Sequence, residues 1–475
     1  MNVVWFKRDL RVIDHRALAN DRVLPLYIFE PELWKEPDLS PRHYRFLHES
    51  LTELDEALKG LGHGLVVRVG DAVEVLQALS QEMVIQALWS HQETWNHWTY
   101  QRDLRVKKWA EYHRIQWHEP VQNGVVRGKE KSVWFEEMKR PLAKPFSLSL
   151  SGVPLFSQGL PKPKFDEGQK GGRKEGVRLL SDFLESRGEG YSYSLSSPVT
   201  AFQSCSRLSA HLAFGTLSIR EVVQAAELKL LRAKQEGLKA WTRSMAAFLN
   251  RLRWHCHFIQ KLERNPSLEY RCVHSDYQAL RPETTPYFEA FKEGKTGYPM
   301  IDACMRALFK TGYLNFRMRA MVMSFVSYHL WSDWKEPALY LARQFTDYEP
   351  GIHYSQVQMQ SGTSGINALR IYNPIKQGFD QDPQGLFIRQ WVPELEKMPQ
   401  PFLHTPWRCP EFLQGYPLPV VEEELARKSA AKKLYDLRKT MAHRSQVHVI
   451  LKSIKPHRKY QKRSKKNHQQ LELPL

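Results

Sequence analysis

The stretch VLPLYIFEPELWKEPDLSPRHYRFLHESLTELDEALKGLGHGLVVRVG, residues 23–70, reads as strand, helix, strand. VLPLYIF (23–29) and GLVVRV (64–69) are short runs of branched and aromatic residues between polar turns, the mark of strands. Between them, residues 41–60 carry apolar side chains at helical spacing. Two strands joined through a helix pair in parallel. The alternation extends both ways: NVVWF (2–6) precedes it and VIQALW (84–89) follows, with helical patterns at 72–82 and 97–113. The expectation is an α/β domain over residues 1–125, a parallel sheet, doubly wound. Ligands of such sheets bind beyond the carboxyl ends of the strands. No G-x-G-x-x-G is present, so a dinucleotide cradle of that type is not predicted.

Residues 126–175 are rich in Pro, Gly, Lys and Ser (PLAKPF, GLPKPKFDEGQKGGRKEG) and read as an interdomain linker. From 176 to 420 the period changes to 3.6. Trp241, Met245, Phe248, Leu249, Leu252 and Ile259 fall on one stripe, so an all-helical domain is expected. After a helical run from Gly312 to Leu341 comes TDYEPGIHYSQVQMQSGTSGINALRIYNP, residues 346–374. It is too polar for an ordinary core and too rich in Val, Met, Ile and Leu for a linker. Its composition raises the question of what a helical domain would cradle with it.

A chain of 475 residues predicts two or three domains. Fourteen Trp are enough for a core plus an aromatic cofactor or electron transfer. The net charge of +18 favours an anionic partner, nucleic acid before membrane surface. Residues 425–470 hold fifteen Lys and Arg against one acid, Asp436, so 421–475 reads as a basic extension: a helical patch at 422–440, then a disordered arm. Five scattered Cys predict a reducing cytoplasm and no disulfides. His255-Cys256-His257 predicts no metal site, because neighbours on a helix point apart. No apolar run of membrane-spanning length exists, and the chain opens on a strand, which predicts neither a transmembrane helix nor a signal peptide. A monomer is expected.

Three stretches carry chemistry. WFKRDLRVIDHRAL (5–18) reads by itself as a solvated strand-to-helix loop. SCSRLSAHLAFGTLSIREV (204–222) brings hydroxyls and Arg207 to a helix start, either a cap or a diphosphate site. The run from YPMIDACMRAL at 298 to FIRQWVPEL at 387 contains Arg319 and Asp347. Together, in this order over residues 1 to about 415, they resemble the photolyase–cryptochrome family. The resemblance implies FAD in the helical domain and room for a second, antenna chromophore of unidentified chemistry in the α/β domain. It implies that Cys205, Ser206, Arg207, Leu208 and Ser209 wrap the FAD phosphates, with Tyr191 or Tyr193 beside them. Arg319 and Asp347 fall beside the flavin, with Glu349 two residues on. His353 falls nearest flavin N5, and Trp254 and Met359 line the substrate cavity. Arg251 stands where the family has Glu or Gln, and Phe316 where it has Asn.

Of the family's three electron-transfer tryptophans, Trp334 matches the middle one. Val357 and Arg281 occupy the outer positions. The implied function is a photolyase: light-driven electron transfer to a flipped-out pyrimidine photolesion in DNA, held through a basic face and the C-terminal arm. The alternative is a cryptochrome-type photoreceptor that repairs nothing. A nucleic-acid binder that has kept only the fold is the third reading.

Overall fold

The computed structural model describes residues 1–19, 23–129, 132–146, 157–165, 167–283 and 285–454. Its first unit is a sheet of five parallel strands, β1 (Asn2–Phe6), β2 (Val23–Phe29), β3 (Val66–Val69), β4 (Ala87–Trp89) and β5 (Gln116–His118), in the order β3-β2-β1-β4-β5. Central β1 pairs with β2 from Asn2↔Val23 to Phe6↔Tyr27, and with β4 from Asn2↔Ala87 to Val4↔Trp89. Val3, Val4, Trp5 and Phe6 are all buried because both faces are covered. On one face α1 (Pro41–Lys59) packs Phe46, Leu47, Leu51 and Leu54 against Val4, Phe6 and Tyr27. On the other, α2 (Ala72–Glu82) and α3 (His97–Tyr112) pack Leu76, Leu79, Val106 and Trp109 against Val3, Trp5 and Leu26. This is the doubly wound domain expected. β5, only Gln-Trp-His, is too short to have shown a pattern.

The charged stretch after β1 is not a solvated loop. Lys7, Asp9, Arg11, Asp14 and His15 are buried, because the loop clasps the helical domain. Arg220 holds both Asp14 oxygens at 2.6 Å, and Arg11 donates to the Gly215 carbonyl at 2.9 Å. Buried charges of this kind persist only when paired. At Gly215 (φ +67) the two chains cross so closely that a Cβ would lie 2.1 Å from the Arg8 carbonyl oxygen. The segment expected as a linker also packs: the Gln158 N–H donates to the Val67 carbonyl at 2.8 Å and covers part of the edge strand β3.

The spine of the helical domain is Lys239–Arg264. Trp241, Met245, Phe248, Leu252 and Ile259 form its buried stripe, with Leu249 partly buried at its margin. The run from Gly312 to Leu341 is broken into Phe316–Ser324, one π-helical turn Phe325–His329, and Lys335–Gln344. Within 346–374 lies one helix, Pro350–Gln360, opened by a proline at its first position. Gly351 lets it approach the spine, since a Cβ there would lie 2.5 Å from Ile259 Cα.

The helical patch expected at 422–440 is the helix Glu423–Lys439, which docks through buried Ala430 and Leu434; the departure from the expected arm begins after it. Its lead-in is pinned where Tyr298 donates to the Val421 carbonyl at 2.7 Å, and Arg438 Nε donates to the Tyr277 hydroxyl at 3.1 Å. Several of its charges are spent locally: Arg427 on Glu423, Lys428 on Glu424, Lys439 on Asp436. A second helix, Met441–Ile454, follows. The rest of the expected arm, 455–475, lies outside the described residues. Among the described residues no helix is long and apolar enough to cross a membrane.

Candidate functional site

Two helices face each other across a cavity of about 280 Å³. Helix Phe316–Ser324 contributes Phe316, Arg319, Ala320 and Met323. Helix Pro350–Gln360 contributes His353, Gln356, Val357 and Gln360. Both sets are spaced i, i+3, i+4, i+7, one face of an α-helix. That face explains the polar composition of 346–374: its Gln and His residues line a cavity. Segment 205–213 forms the third wall with Cys205, Ser206, Arg207, Ser209 and Ala213, and Tyr313, Phe345 and Tyr348 close the ends.

Arg319 grips Asp347 with two parallel bonds, Nη1 to Oδ1 at 3.0 Å and Nη2 to Oδ2 at 2.9 Å, the strong bidentate form of this pair. Burial works to raise the Asp347 carboxyl, but Arg319, a bond from Ser209 and the nearby Arg207 charge hold it below the usual range. Arg207 has φ +61, a left-handed conformation that costs a non-glycine residue about 1 kcal/mol or more. Its guanidinium lies 3.6 Å over the Tyr313 ring and 4.4 Å over Phe202. Its Nη1 is buried without a hydrogen-bond partner. So are Glu349 Oε1, Gln360 Oε1 and both polar atoms of the Gln356 amide. Each orphan costs about 1–3 kcal/mol unless something meets it. Five on one cavity fit a ligand rich in donors and acceptors, with an anionic part at Arg207.

Burial raises the Glu349 carboxyl to about 8, against the pull of Arg8, so it is largely protonated at neutral pH and able to donate. Burial pushes His353 down to about 4. Its neutral ring donates from Nε2 to the Ala338 carbonyl at 2.9 Å.

Eight of the residues expected at the site line the cavity: Cys205, Ser206, Arg207, Ser209, Arg319, Asp347, Glu349 and His353. The others lie elsewhere. Tyr193 is 63% exposed and bonded to Arg243, and the lining tyrosine is Tyr191. Two residues apart on one helical turn, the rings point to opposite sides. Leu208 is buried in the adjoining core. Arg251 is not among the lining residues; it is bonded to Tyr191 and stacked on Trp254 (4.8 Å) and on the lining Phe316 (5.5 Å). Half-buried Trp254 thereby reaches the rim but not the cavity. Met359 is not among the lining residues. Trp334 is fully buried behind the cavity, donating from Nε1 to Cys272 Sγ at 3.1 Å. Val357 lines the cavity, whereas Arg281 is buried and donates to the Ser361 carbonyl at 2.8 Å. Gln356, Gln360, Ile352 and Tyr348 were not singled out as lining residues. The register of helix 350–360 is the signal that finds the first three.

Two other places were candidates. Among the described residues, Asp9, His15 and His91 form one group of metal-ligating composition. Both imidazoles reach Asp9 Oδ2, at 2.9 and 2.7 Å, and burial pushes His91 down to about 3. The distances are those of a hydrogen-bonded loop anchor. At the carboxyl ends of β1 and β2, where ligands of such sheets bind, a crevice lined in part by Arg102 holds about 40 Å³.

An α/β domain clasped to a helical domain with this cleft defines a two-domain flavoprotein. Residues 2–130 match the family described as DNA photolyase, and 248–436 the family described as the FAD binding domain of DNA photolyase. The deoxyribodipyrimidine photo-lyase of Escherichia coli (strain K12) is 30% identical over 479 residues, covering 90% of this chain and 96% of its own length. Cryptochrome-1 of Arabidopsis thaliana is 28% identical, over 88% of this chain and 68% of its own. The crystal structure of the archaeal photolyase from Sulfolobus tokodaii with two FAD molecules superposes with a TM-score of 0.75 at 28% identity, covering 92% of this chain and all of that one. The chain belongs to the photolyase–cryptochrome family, and its cofactor is FAD.

Proposed function

We propose that this protein is a DNA photolyase that reverses a pyrimidine photolesion, with the lesion flipped out of the duplex into the mouth of the cleft. The observation that carries this reading is the cleft itself: five orphaned polar atoms and an Arg319–Asp347 fork around a cavity whose mouth is edged by Phe316, Arg251 and Trp254. Bound reduced FAD supplies a light-driven electron to the lesion. The protein's part is positioning and exclusion. Arg207, with the Ser206 and Ser209 hydroxyls, meets the diphosphate. The Arg319–Asp347 pair, protonated Glu349 and the Gln356 and Gln360 amides would hold the cofactor by hydrogen bonds. Met323, Leu341, Phe345, Ile352 and Val357 keep water out. At the rim, the Trp254 ring and the Arg251 guanidinium offer stacking surfaces to an extruded base. A damaged base is already weakly paired, so extruding it costs little.

The photoreceptor alternative draws on the altered cavity residues, Phe316 where the family has Asn and Arg251 where it has Glu or Gln. Blue-light assays on duplexes carrying a cyclobutane dimer or a (6-4) photoproduct decide. Repair of either establishes the photolyase. Repair of neither by protein with full, reduced flavin gives the case to the photoreceptor.

A further inference from the structure

Tyr348 belongs to the FAD cleft and to the interdomain seam at once. It lines the main cavity and also the crevice at the strand ends. It is 2% exposed, and its hydroxyl donates to Asp38 Oδ2 at 2.6 Å. We propose that Tyr348 is the electron donor that photoreduces the flavin of this protein, with Asp38 as the built-in base that takes its proton. The inference rests on FAD in the cleft and does not need the protein to repair DNA.

The step balances within the protein. Light-excited oxidised FAD is the oxidant and takes one electron from the Tyr348 ring. The Tyr348 O–H bond breaks, its proton passes to Asp38 Oδ2, and a neutral tyrosyl radical remains beside a neutral carboxylic acid. The radical ends either by the electron and proton returning together, or by an added small thiolate giving one electron, to become a thiyl radical, while Asp38 returns the proton. A phenol loses an electron readily only when its proton can leave with it, and a carboxylate at 2.6 Å lets it leave at once. Burial raises the Asp38 carboxyl, which makes it a better base than an exposed aspartate.

The surrounding aromatics show why the hole would stop at Tyr348. One branch leads through Trp95, whose ring centroid is 5.9 Å from Tyr348, but Arg8 stacks on Trp95 at 4.2 Å. The other leads through Tyr354, 6.5 Å away, to Trp334, 6.3 Å further. There Lys335 Nζ lies 5.0 Å from Tyr354, 5.6 Å from Trp334 and 5.3 Å from Tyr270. A cation beside a ring opposes removing an electron from it. Both exits are guarded by a cation, and Tyr348 is the cavity-lining tyrosine whose hydroxyl donates to a carboxylate.

The test is flash photolysis of the full-length protein loaded with oxidised FAD, read by transient absorption and by electron paramagnetic resonance of freeze-trapped samples. Flavin occupancy is measured on the same samples. A tyrosyl radical whose formation slows in D2O is the expected wild-type signal. Tyr348→Phe removes it, with the signal normalised to the flavin bound in the same sample. Asp38→Asn keeps the ring but slows radical formation by about a hundredfold, the low end of what a positioned base contributes, and abolishes the D2O effect. Trp334→Phe leaves the tyrosyl signal in place. A tryptophan radical as the first product, lost in Trp334→Phe and intact in Tyr348→Phe, overturns the proposal. So does a tyrosyl signal that persists in Tyr348→Phe or is indifferent to Asp38→Asn. Should Tyr348→Phe misfold, Asp38→Asn and Trp334→Phe decide between them. Lesion repair by chemically reduced wild-type protein is scored separately, so failure of the photolyase reading is distinguishable from failure of this one.

Discussion

The crevice at the strand ends and the cleft in the helical domain are built from the same residue types, yet only one is open. In the crevice Arg102 spends its donors on three carboxylates, Glu30 at 2.7 Å, Asp103 at 2.9 Å, and Glu93. Lys7 also bonds Asp103. About 40 Å³ of space is left, with two orphaned polar atoms on its lining, Glu30 Oε1 and Trp95 Nε1. In the cleft a single Arg–carboxylate fork is satisfied, about 280 Å³ is left, and five lining atoms have no partner. Charge and aromatic content alone do not tell a ligand site from a structural ion network. What differs is whether the polar groups have found one another.

That contrast is broken most sharply at the fork. Asp347→Ala leaves the Arg319 guanidinium, largely withdrawn from water, without its partner, a change that costs about 3–5 kcal/mol in buried pairs. The expected outcome is protein purified without flavin and with a lowered melting temperature. Full flavin retention, read from the visible spectrum, removes the pair from the site. The converse experiment is stoichiometry. The cleft predicts one FAD per chain, and a second chromophore in equal amount would show that the Arg102 network opens to admit it.

The next effect is a pH dependence. The Glu349 carboxyl stands at about 8 against an ordinary 4.5, so the folded flavin-free chain holds a proton that the unfolded chain gives up in between. The stabilisation is complete below about pH 4.5 and lost as pH rises through 8. Glu349→Gln should flatten that part of the stability curve and keep flavin at neutral pH, because the amide still donates. An unchanged slope in thermal melts from about pH 5 to about 8.5 would mean that Glu349 is ionised throughout.

The sheet was legible because a parallel strand covered on both faces must be apolar along its length, as in NVVWF and VLPLYIF. The site was legible only in part. Resemblance located Arg319, Asp347 and segment 205–209, where spacing to a motif is short. It stumbled over Tyr191 and Tyr193, because the facing of a four-residue helical turn is set by packing. The charged loop at 5–18 misled for a related reason: charges read as solvated unless their partners are known, and Arg220 and Gly215 lie some two hundred residues away. Val357 facing the cavity follows from the register of the helix that starts at Pro350; the place of Met359 does not, since it stands at nearly the same angle as lining Ile352.

Smaller still is the rim. Trp254→Ala removes one stacking surface, worth about 1–3 kcal/mol per base. It should lower the preference for damaged over intact DNA by about tenfold to a hundredfold, with flavin content unchanged. Competition binding with lesion-bearing and intact duplexes measures it. An unaltered preference would place recognition deeper, on Phe316 or Tyr313 inside the cavity.

The smallest effect on choice, and a broad one on affinity, is expected from the chain beyond the last described helix. A cut at residue 425 is the wrong test, since it would uncover the surface that Ala430 and Leu434 occupy and unfold part of the cofactor domain. Deleting 455–475 instead removes seven of the fifteen cations between 425 and 470 and one acid, Glu472. Cations that neutralise phosphates bind by releasing counterions, so each phosphate left without its cation should make the plot of log affinity against log salt shallower by about 0.9. The same charges carry no base reading, so damaged and intact duplexes should lose affinity alike. The pairing of Arg427, Lys428 and Lys439 within their own helix predicts that neutralising those three changes the slope far less. If the truncated protein loses its preference for damage while keeping its flavin, the tail reads lesions and the division between a specific cleft and an indifferent charge is wrong. If the slope moves with the helix cations and not with the tail, the DNA track runs over the docked helix, and the basic face begins there.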